Sequence, residues 1–579
     1  MKRAKRIGCL LVALGLLASV FSACGTAEAP SAAPTEPSAA ETAAAAPETA
    51  APAPAEPAEQ EEPEGSTVEE TVEEPAIPEP EPFELPIVDE PETLTLWMRT
   101  EPFTIAYPEI DINNVTFYKE MEARTGVHVD ITGVIAFQAD EQFNLMVAGG
   151  DYTDMIGRFK AFYTAGVDAG IENSIILDLS ELMEDYMPNY QYALATNDTF
   201  RRDCTTAEGC IGAANTLFDV TEGERIGPVV RKDWLEEAGL DLPVTYDDYY
   251  EALKAFQSQG HEGSMALRWD GINSGSYLLA GFGAAGFYDD TAVAVPFLNI
   301  DGKVEFGPIM DGYQEYLKLM NQWYSEGLIY QDFMSLDTST YPQNLANGTF
   351  GMGVVDRGQF TATQLALEAT DPNADLVGCK DARKNADEVL HIQYIDHHVA
   401  DGYSITTCCE NVEVAARYLD YLYTEEGSVL AGYGVEGEGL TYDGNGDPQL
   451  SDMILNNETY PCTPAMVLYA TYGAPGIYDG SRYMAAYDER TRSAVELWGE
   501  DEQDWLYPYN AGLTIEESDT YSTIQSDIYT YVKEMTLKFI TGAADPETEW
   551  DAYVAAIEGM GVDTIIQMKQ DALDRYLAR

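Results

Sequence analysis

Basic residues are scarce in this chain, and over one long stretch they vanish. The sequence holds 31 Lys and Arg against 100 Asp and Glu, a formal net charge of −69. A field of that sign repels nucleic acid and anionic polymers, so no nucleic-acid partner is expected. Between Thr26 and Glu92 there is no lysine or arginine, and almost no large apolar residue before Val68. Ala, Pro, Glu and Thr fill that interval; such a composition cannot bury enough surface to offset its ordering entropy, and its like charges extend it. Histidine is rare too, with 5 in the chain; His391, His397 and His398 gather around Asp396. A metal centre needs convergent geometry that spacing alone does not supply, so none is predicted. The chain has no CxxC, HExxH, GxSxG or Walker loop, which removes the zinc-protease, serine-hydrolase and nucleotide-binding signatures. No cofactor is expected. With so many acids some must face each other, so a carboxylate pair of the glycoside-hydrolase kind stays open.

Long apolar runs are also lacking, with one exception. Lys2, Arg3, Lys5 and Arg6 precede an apolar run from Ile7 to Val20, then Phe21-Ser22-Ala23-Cys24. This is the pattern of a secretory signal, and it is shorter than the roughly 20 residues that span a bilayer. Eight cysteines are present. Cys9 lies in the signal. Cys204 and Cys210 are close enough to bridge across a loop, which export would permit, and free thiols are an equal alternative. Cys408-Cys409 reads as buried strand. Asp443-Gly-Asn445-Gly-Asp447 has the alternating oxygens of a calcium loop, but Pro448 replaces the turn glycine and Ile454 the closing glutamate, so a hairpin turn is expected.

About 487 residues follow the acidic segment, too many for one core and natural for two lobes. Arithmetic on the same sequence leaves roughly −54 on this body, read as a solubility surface. Leu94–Met98 is a short β-prone run, Val115–Arg124 a helix, and Val127–Ile131 an alternating strand. A helix from Asp140 to Val147 then leads to the apolar Met155-Ile156. Strand and helix alternating in this way predict a parallel α/β sheet. Farther on, Thr245 and Asp248 form a capping-box pair before the apolar stripe Tyr249, Ala252, Leu253 and Phe256. Helices are expected from Tyr313 to Gly327, through Trp550–Ile557, and from Asp563 to Leu577. Trp234 and Trp550 fall on helix stripes and belong to the core.

The Ser-Ala-Cys ending of the signal resembles the bacterial lipobox, with Cys24 as the lipidated residue, although Phe21 stands where that pattern has an aliphatic side chain. RKDWLEEAGLDLPVTYDDYYEALKAF from Arg231, WYSEGLIYQDF from Trp323, NGTFGMG from Asn347 and YLYTEEGSVLAGYGVEGEGLTYDGNGDP from Tyr421 occur in order, and WDAYVAAIEGMGVDTIIQMKQDALDRYLAR closes the chain. Together these segments resemble the extracellular solute-binding lipoproteins of ABC importers, of the large Firmicutes carbohydrate-type group. The resemblance implies an α/β fold, periplasmic-binding-protein-like type II, with two lobes, a hinge and an interlobe cleft. It places crossings near Thr216–Val230 and His391–Tyr403, and a third after Leu450. The implied organisation is a signal peptide over 1–24 and an acidic tether over 25–92. Lobe 1 then spans 93–215 plus 404–465, and lobe 2 spans 216–403 plus 466–579.

The implied function is capture of an extracellular solute, an oligosaccharide above all, for delivery to ABC permease subunits. The chain would act as a monomer held on the outer face of the cytoplasmic membrane by its N-terminal lipid. Sugar rings pack on aromatic faces, and their hydroxyls need planar donors and acceptors. Strand ends facing the crevice therefore mark the candidate ligand contacts: Trp97, Arg99, Asp151, Phe159, Trp269, Asp270, Asp356 and Arg357, with Glu436 added from a Gly-rich loop on family grounds. Core packing is the alternative for each aromatic. No catalytic residue is assigned. A surface-anchored glycan hydrolase or lyase, and a peptide-binding protein, are the competing functions.

Overall fold

The computed structural model describes residues 77–100, 107–267, 276–286, 296–337, 340–392, 397–471 and 473–579. The signal, Cys24, most of the acidic segment, Trp269, Asp270 and Asp396 lie outside them. Alternating burial builds the first strands. Val127, Val129 and Ile131 are buried along β2 (Val127–Ile135) with more exposed residues between them. This strand pairs in parallel with β1 (Glu92–Thr100) from Glu92↔Val127 to Thr100↔Ile135. β3 (Met155–Gly157) joins β1 in parallel. β4 (Ala214–Val220), β10 (Val399–Ile405) and β13 (Gly476–Asp479) complete a six-stranded mixed sheet in the order β13-β4-β10-β3-β1-β2. A second sheet has β5 (Ile226–Arg231) between β8 (Met352–Asp356) and β9 (Leu376–Gly378), antiparallel to both. Two hairpins stand apart, β6 (Phe297–Ile300) with β7 (Lys303–Phe306) and β11 (Leu440–Tyr442) with β12 (Pro448–Leu450).

The expected helices form close to their sequence bounds, because each has a stripe to bury and a residue to stop it. Thr116–Thr125 ends on Gly126 in the left-handed region. Tyr246–Ser258 begins with both halves of the capping box, Thr245 N donating to Asp248 Oδ2 at 2.8 Å. Trp234 and Trp550 are 7% and 6% exposed, in the core as the stripes require. The 443–447 segment is the turn between β11 and β12. Its Asp443 carboxylate is spent on the backbone N–H groups of Asn445 and Asp447, at 2.8 and 2.9 Å.

Two large hydrophobic cores organise the body. One contains Leu94, Met155, Leu217, Ile405, Leu419 and Tyr478. The other contains Val229, Phe256, Trp323, Phe350, Trp498, Ile528 and Leu573. The Ile515–Thr541 helix lies along Asp311–Ser325 in the second core, with Tyr313 and Thr536 hydroxyls 2.9 Å apart. Three sequence expectations differ from this arrangement. Residues 83–91, assigned to the acidic segment, lie on the first core: Phe83 meets Tyr421 at 5.3 Å, and Ile87 N donates to Thr125 O at 2.9 Å. Ile87 is buried and Phe83 and Val88 pack partly buried against this core, where the Ala/Pro/Glu stretch has nothing to bury. Residues 467–479, assigned to lobe 2, belong to the first core, because β13 adds in parallel to the edge of β4. Cys408 and Cys409 occupy the turn after β10 rather than a strand, one exposed and the other buried. The six cysteines of the body are unbridged.

One buried ion pair ties the second core to the chain that leaves it. Arg383 donates to both carboxylate oxygens of Asp501, at 3.1 and 2.7 Å, with side chains 4% and 7% exposed. Removing one partner strands a buried charge. Asp501→Ala is therefore expected to cost about 3–5 kcal/mol, read as a lower urea midpoint in equilibrium unfolding.

Candidate functional site

A cleft of about 1080 Å³ lies between the two cores. Its walls come from the segments where the chain passes from one core to the other. β4 and the passage after it contribute Phe218, Glu222 and Arg225; the second passage and β10 contribute His397, Asp401 and Tyr403; the third passage contributes Tyr483 and Tyr487. Tyr509 and Asn510 face Lys160 across the gap: Lys160 Nζ donates to Asn510 Oδ1 at 2.5 Å and sits 4.6 Å from the centre of the Tyr509 ring. His397 stacks on the same Tyr509 at 4.6 Å.

A backbone irregularity aims Asp401. The β10–β4 register shifts between Ala400 and Tyr403, and a Cβ on Gly402 would meet Ala214 O at 1.8 Å. Only glycine permits that approach, and the bulge re-directs the side chains beside it. Arg158, itself in the left-handed region at φ 59°, locks the bend by donating its N–H to Gly402 O at 2.7 Å. Ala161 N–H donates to Asp401 Oδ2 at 3.2 Å. Burial pushes the Asp401 carboxyl up to about 6, with Lys160 and Arg158 opposing the rise. Lys160 keeps solvent contact along its side chain, yet its ammonium lies between the lobes, where burial lowers its pKa against the pull of Asp401 and Asp203.

Two ion pairs bind the first passage to the end of β8. Arg225 Nε meets Asp356 Oδ2 at 2.9 Å, and Arg357 pairs with Glu222 while donating to Gly223 O at 2.8 Å. On the opposite side of the cleft, Tyr576 of the Val562–Leu577 helix donates to Asp203 Oδ1 at 2.8 Å. All five carboxylates that line the cleft among the described residues have partners, since Thr206 hydroxyl donates to Asp168.

Of the residues expected at the ligand, Arg99, Asp356 and Arg357 line the cleft. Asp356 and Arg357 do so as members of the ion pairs just described. Trp97 and Phe159, 4% and 1% exposed, form instead a separate aromatic cluster with Phe143. Trp97 turns from β1 into this cluster and Phe159 opens the short Phe159–Phe162 helix that packs there, which sequence position alone does not reveal. Asp151 and Glu436 are exposed and outside the cleft lining; Glu436 sits beside the β11 hairpin. The three neighbouring histidines turn to different partners: His391 to Asp504 at 2.8 Å, His398 to Phe218 O at 2.7 Å, and His397 to Tyr509. Sequence reasoning missed Lys160, Asp401, Tyr403, Tyr487, Tyr509 and Lys569. For Asp401 and Tyr403 the available signal was the returning crossing implied by the resemblance, His391–Tyr403, whose His397, Asp401 and Tyr403 line the cleft.

A raised carboxyl pKa sets the sign of a pH effect. Between about pH 4 and 6 the folded protein holds on Asp401 a proton that the unfolded chain has released, so stability falls as pH rises across that window. Asp401→Asn removes this contribution. Thermal unfolding between pH 4 and 7 should show a shallower decline for the variant than for the parent.

The comparisons with known proteins agree with this geometry. The family described as bacterial extracellular solute-binding protein matches residues 112–429. The fructooligosaccharide ABC transporter substrate-binding protein FusA of Streptococcus pneumoniae is 25% identical over 499 residues, covering 81% of this chain and 88% of that protein. Lipoprotein LipO of Bacillus subtilis is 24% identical over 346 residues, 57% of this chain and 65% of its own length. An HMO-binding, ABC-transporter-associated solute-binding protein from Bifidobacterium longum infantis superposes with a TM-score of 0.68 at 20% identity, over 84% of this chain and 99% of that one. The fold is α/β of the periplasmic-binding-protein type II, two lobes about a hinge. With the family matching more than half its length, the chain belongs to the bacterial extracellular solute-binding proteins.

Proposed function

We propose that this protein captures an oligosaccharide in the interlobe cleft and delivers it intact to an ABC permease. The observation that carries the proposal is the make-up of the cleft: Phe218, Tyr403, Tyr483, Tyr487 and Tyr509 offer aromatic surface beside Arg99, Asn510 and Asp401. Sugar rings need that combination of flat apolar faces and planar polar groups. The names of FusA, a fructooligosaccharide substrate-binding protein, and of the HMO-binding protein support the same class of ligand. Passages at 217–229, 382–399 and 478–494 act as the hinge, and closure around the ligand excludes water. Lobe 1 then comprises 83–217 with 399–479, and lobe 2 comprises 229–382 with 494–579. Arg99, Asp401, Tyr403, Tyr487 and Tyr509 are the contacts we assign to the ligand.

The carboxylates favour binding over hydrolysis. A glycosidase needs an acid and a base left free to exchange protons with substrate. Here Asp356 and Glu222 are held by arginines, Asp203 by Tyr576 and Asp168 by Thr206, while Asp401 takes a backbone N–H. The secreted, monomeric body is held at the outer face of the membrane by a lipid on Cys24, as the lipobox-like signal and the resemblance to LipO support.

Two measurements test this. A thermal-shift panel of neutral oligosaccharides and peptides should raise the melting point with sugars, because a ligand that binds only the folded state stabilises it. Chromatography should return the sugar unchanged, and Tyr509→Ala should weaken binding by about tenfold. A shift with peptides alone, or released reducing ends, would replace the proposal with one of its competitors. Separately, Cys24→Ala should abolish incorporation of labelled fatty acid and move the protein from the membrane fraction to the medium; unchanged labelling would remove Cys24 as the anchor.

A further inference from the structure

Lys569 lies on the Val562–Leu577 helix, lines the cleft and is 8% exposed. Its ammonium is 5.0 Å from the centre of the Tyr521 ring, 5.1 Å from Tyr507 and 5.9 Å from Phe297. The Tyr507 hydroxyl donates to Lys569 O at 2.8 Å, which pins the backbone under this cage. Ring faces attract a cation and hold it in place, but they do not neutralise it. Among the described residues Lys569 makes no ion pair. Glu517, the acid that acts on it, is already spent on Arg575 at 3.1 and 2.6 Å and on Thr514 N at 2.9 Å. In a chain with 100 acids and 31 bases, a buried lysine that makes no ion pair among the described residues and opens onto a cleft is a charge awaiting a counter-ion.

The cleft around it has the matching composition. Among the described residues its lining carries six cations (Arg99, Arg158, Lys160, Arg225, Arg357 and Lys569) and five carboxylates, whereas acids outnumber bases threefold over the chain. A neutral sugar requires no such reversal, while an anionic one would otherwise meet the repulsion of the whole body. Resting on the oligosaccharide-binding reading, we propose that the ligand is an acidic oligosaccharide, carrying a carboxylate or sulfate, and that Lys569 binds its anionic group.

The pH dependence follows from the groups that face Lys569. Burial lowers its ammonium to about 8, with Glu517 opposing. Phe297 carries no charge, Arg575 is paired with Glu517, and burial pushes the Tyr507 and Tyr521 hydroxyls above their usual range. Asp168 and Asp203 line the cleft, and Arg579 interacts electrostatically with both and with Arg575. Lys569 is therefore charged below about pH 8 and loses its charge above it, so affinity for an anion falls as pH rises through that value.

The test is calorimetric titration of the intact body with matched pairs: trigalacturonate against its full methyl ester, and a sulfated against an unsulfated galacto-oligosaccharide. In one arm the charged member should bind at least tenfold tighter at pH 7, and the preference should shrink at pH 9.5. That arm identifies carboxylate or sulfate as the group. Lys569→Met, which keeps the cage filled, and Lys569→Gln should each cut the charged-to-neutral ratio at least fivefold, with melting curves reporting folding. Uncharged members binding as tightly as charged ones, or a ratio unmoved by both variants, overturns the inference and leaves oligosaccharide capture standing. If no member of any pair binds, while peptides do, both fall together.

Discussion

The cleft depends on the adjacency of three strands. β4 carries the chain out of the first lobe, β10 brings it back, and β13 carries it out again, and these three are neighbours at one edge of the six-stranded sheet. The antiparallel pairing of β10 with β4 puts the outgoing and returning segments side by side; the parallel pairing of β13 with β4 adds the third. Backbone hydrogen bonds thus bring all three crossings to one place, where they form a hinge rather than a broad, rigid junction. The bulge at Gly402 sits within this pairing. It is tolerated because no Cβ stands between the strand and Ala214 O, and it turns Asp401 from the ladder toward the gap.

Electrostatics then distinguish the cleft from the rest of the surface. The body carries a large excess of acid, which gives it a solvated surface. Its few cations are not spread evenly. Arg225 and Arg357 fasten the first crossing to β8, so these charges build the hinge before any ligand arrives. Lys160 reaches from one lobe to Asn510 and Tyr509 of the other, and Tyr576 reaches back to Asp203. Such contacts are individually weak and solvent-accessible in part, which suits surfaces that must separate and rejoin.

Much of the fold was legible because its signals are local. The capping box at Thr245, the stop at Gly126, the stripe through Trp550 and the alternation in β2 each depend on residues within a few positions of one another. The candidate site was legible only in part. Arg99, Asp356 and Arg357 reach the cleft because they end strands that point there, whereas Trp97 and Phe159 satisfy the same positional rule and turn into the separate aromatic cluster. A strand end has two faces, and helix packing on the sheet chooses between them. Tyr509 gave no signal at all: it lies in an irregular segment whose neighbours in the cleft are hundreds of positions away.

By itself the sequence determined the class of the body, its helices and its first strands, since composition and short-range periodicity carry that information. The tertiary structure alone decided that residues 83–91 join the first core, that β13 returns to the first sheet, and that Lys569 stands caged by Phe297, Tyr507 and Tyr521. Each of these is a pairing between distant segments, settled by which apolar faces and strand edges remain to be covered once the local elements have formed.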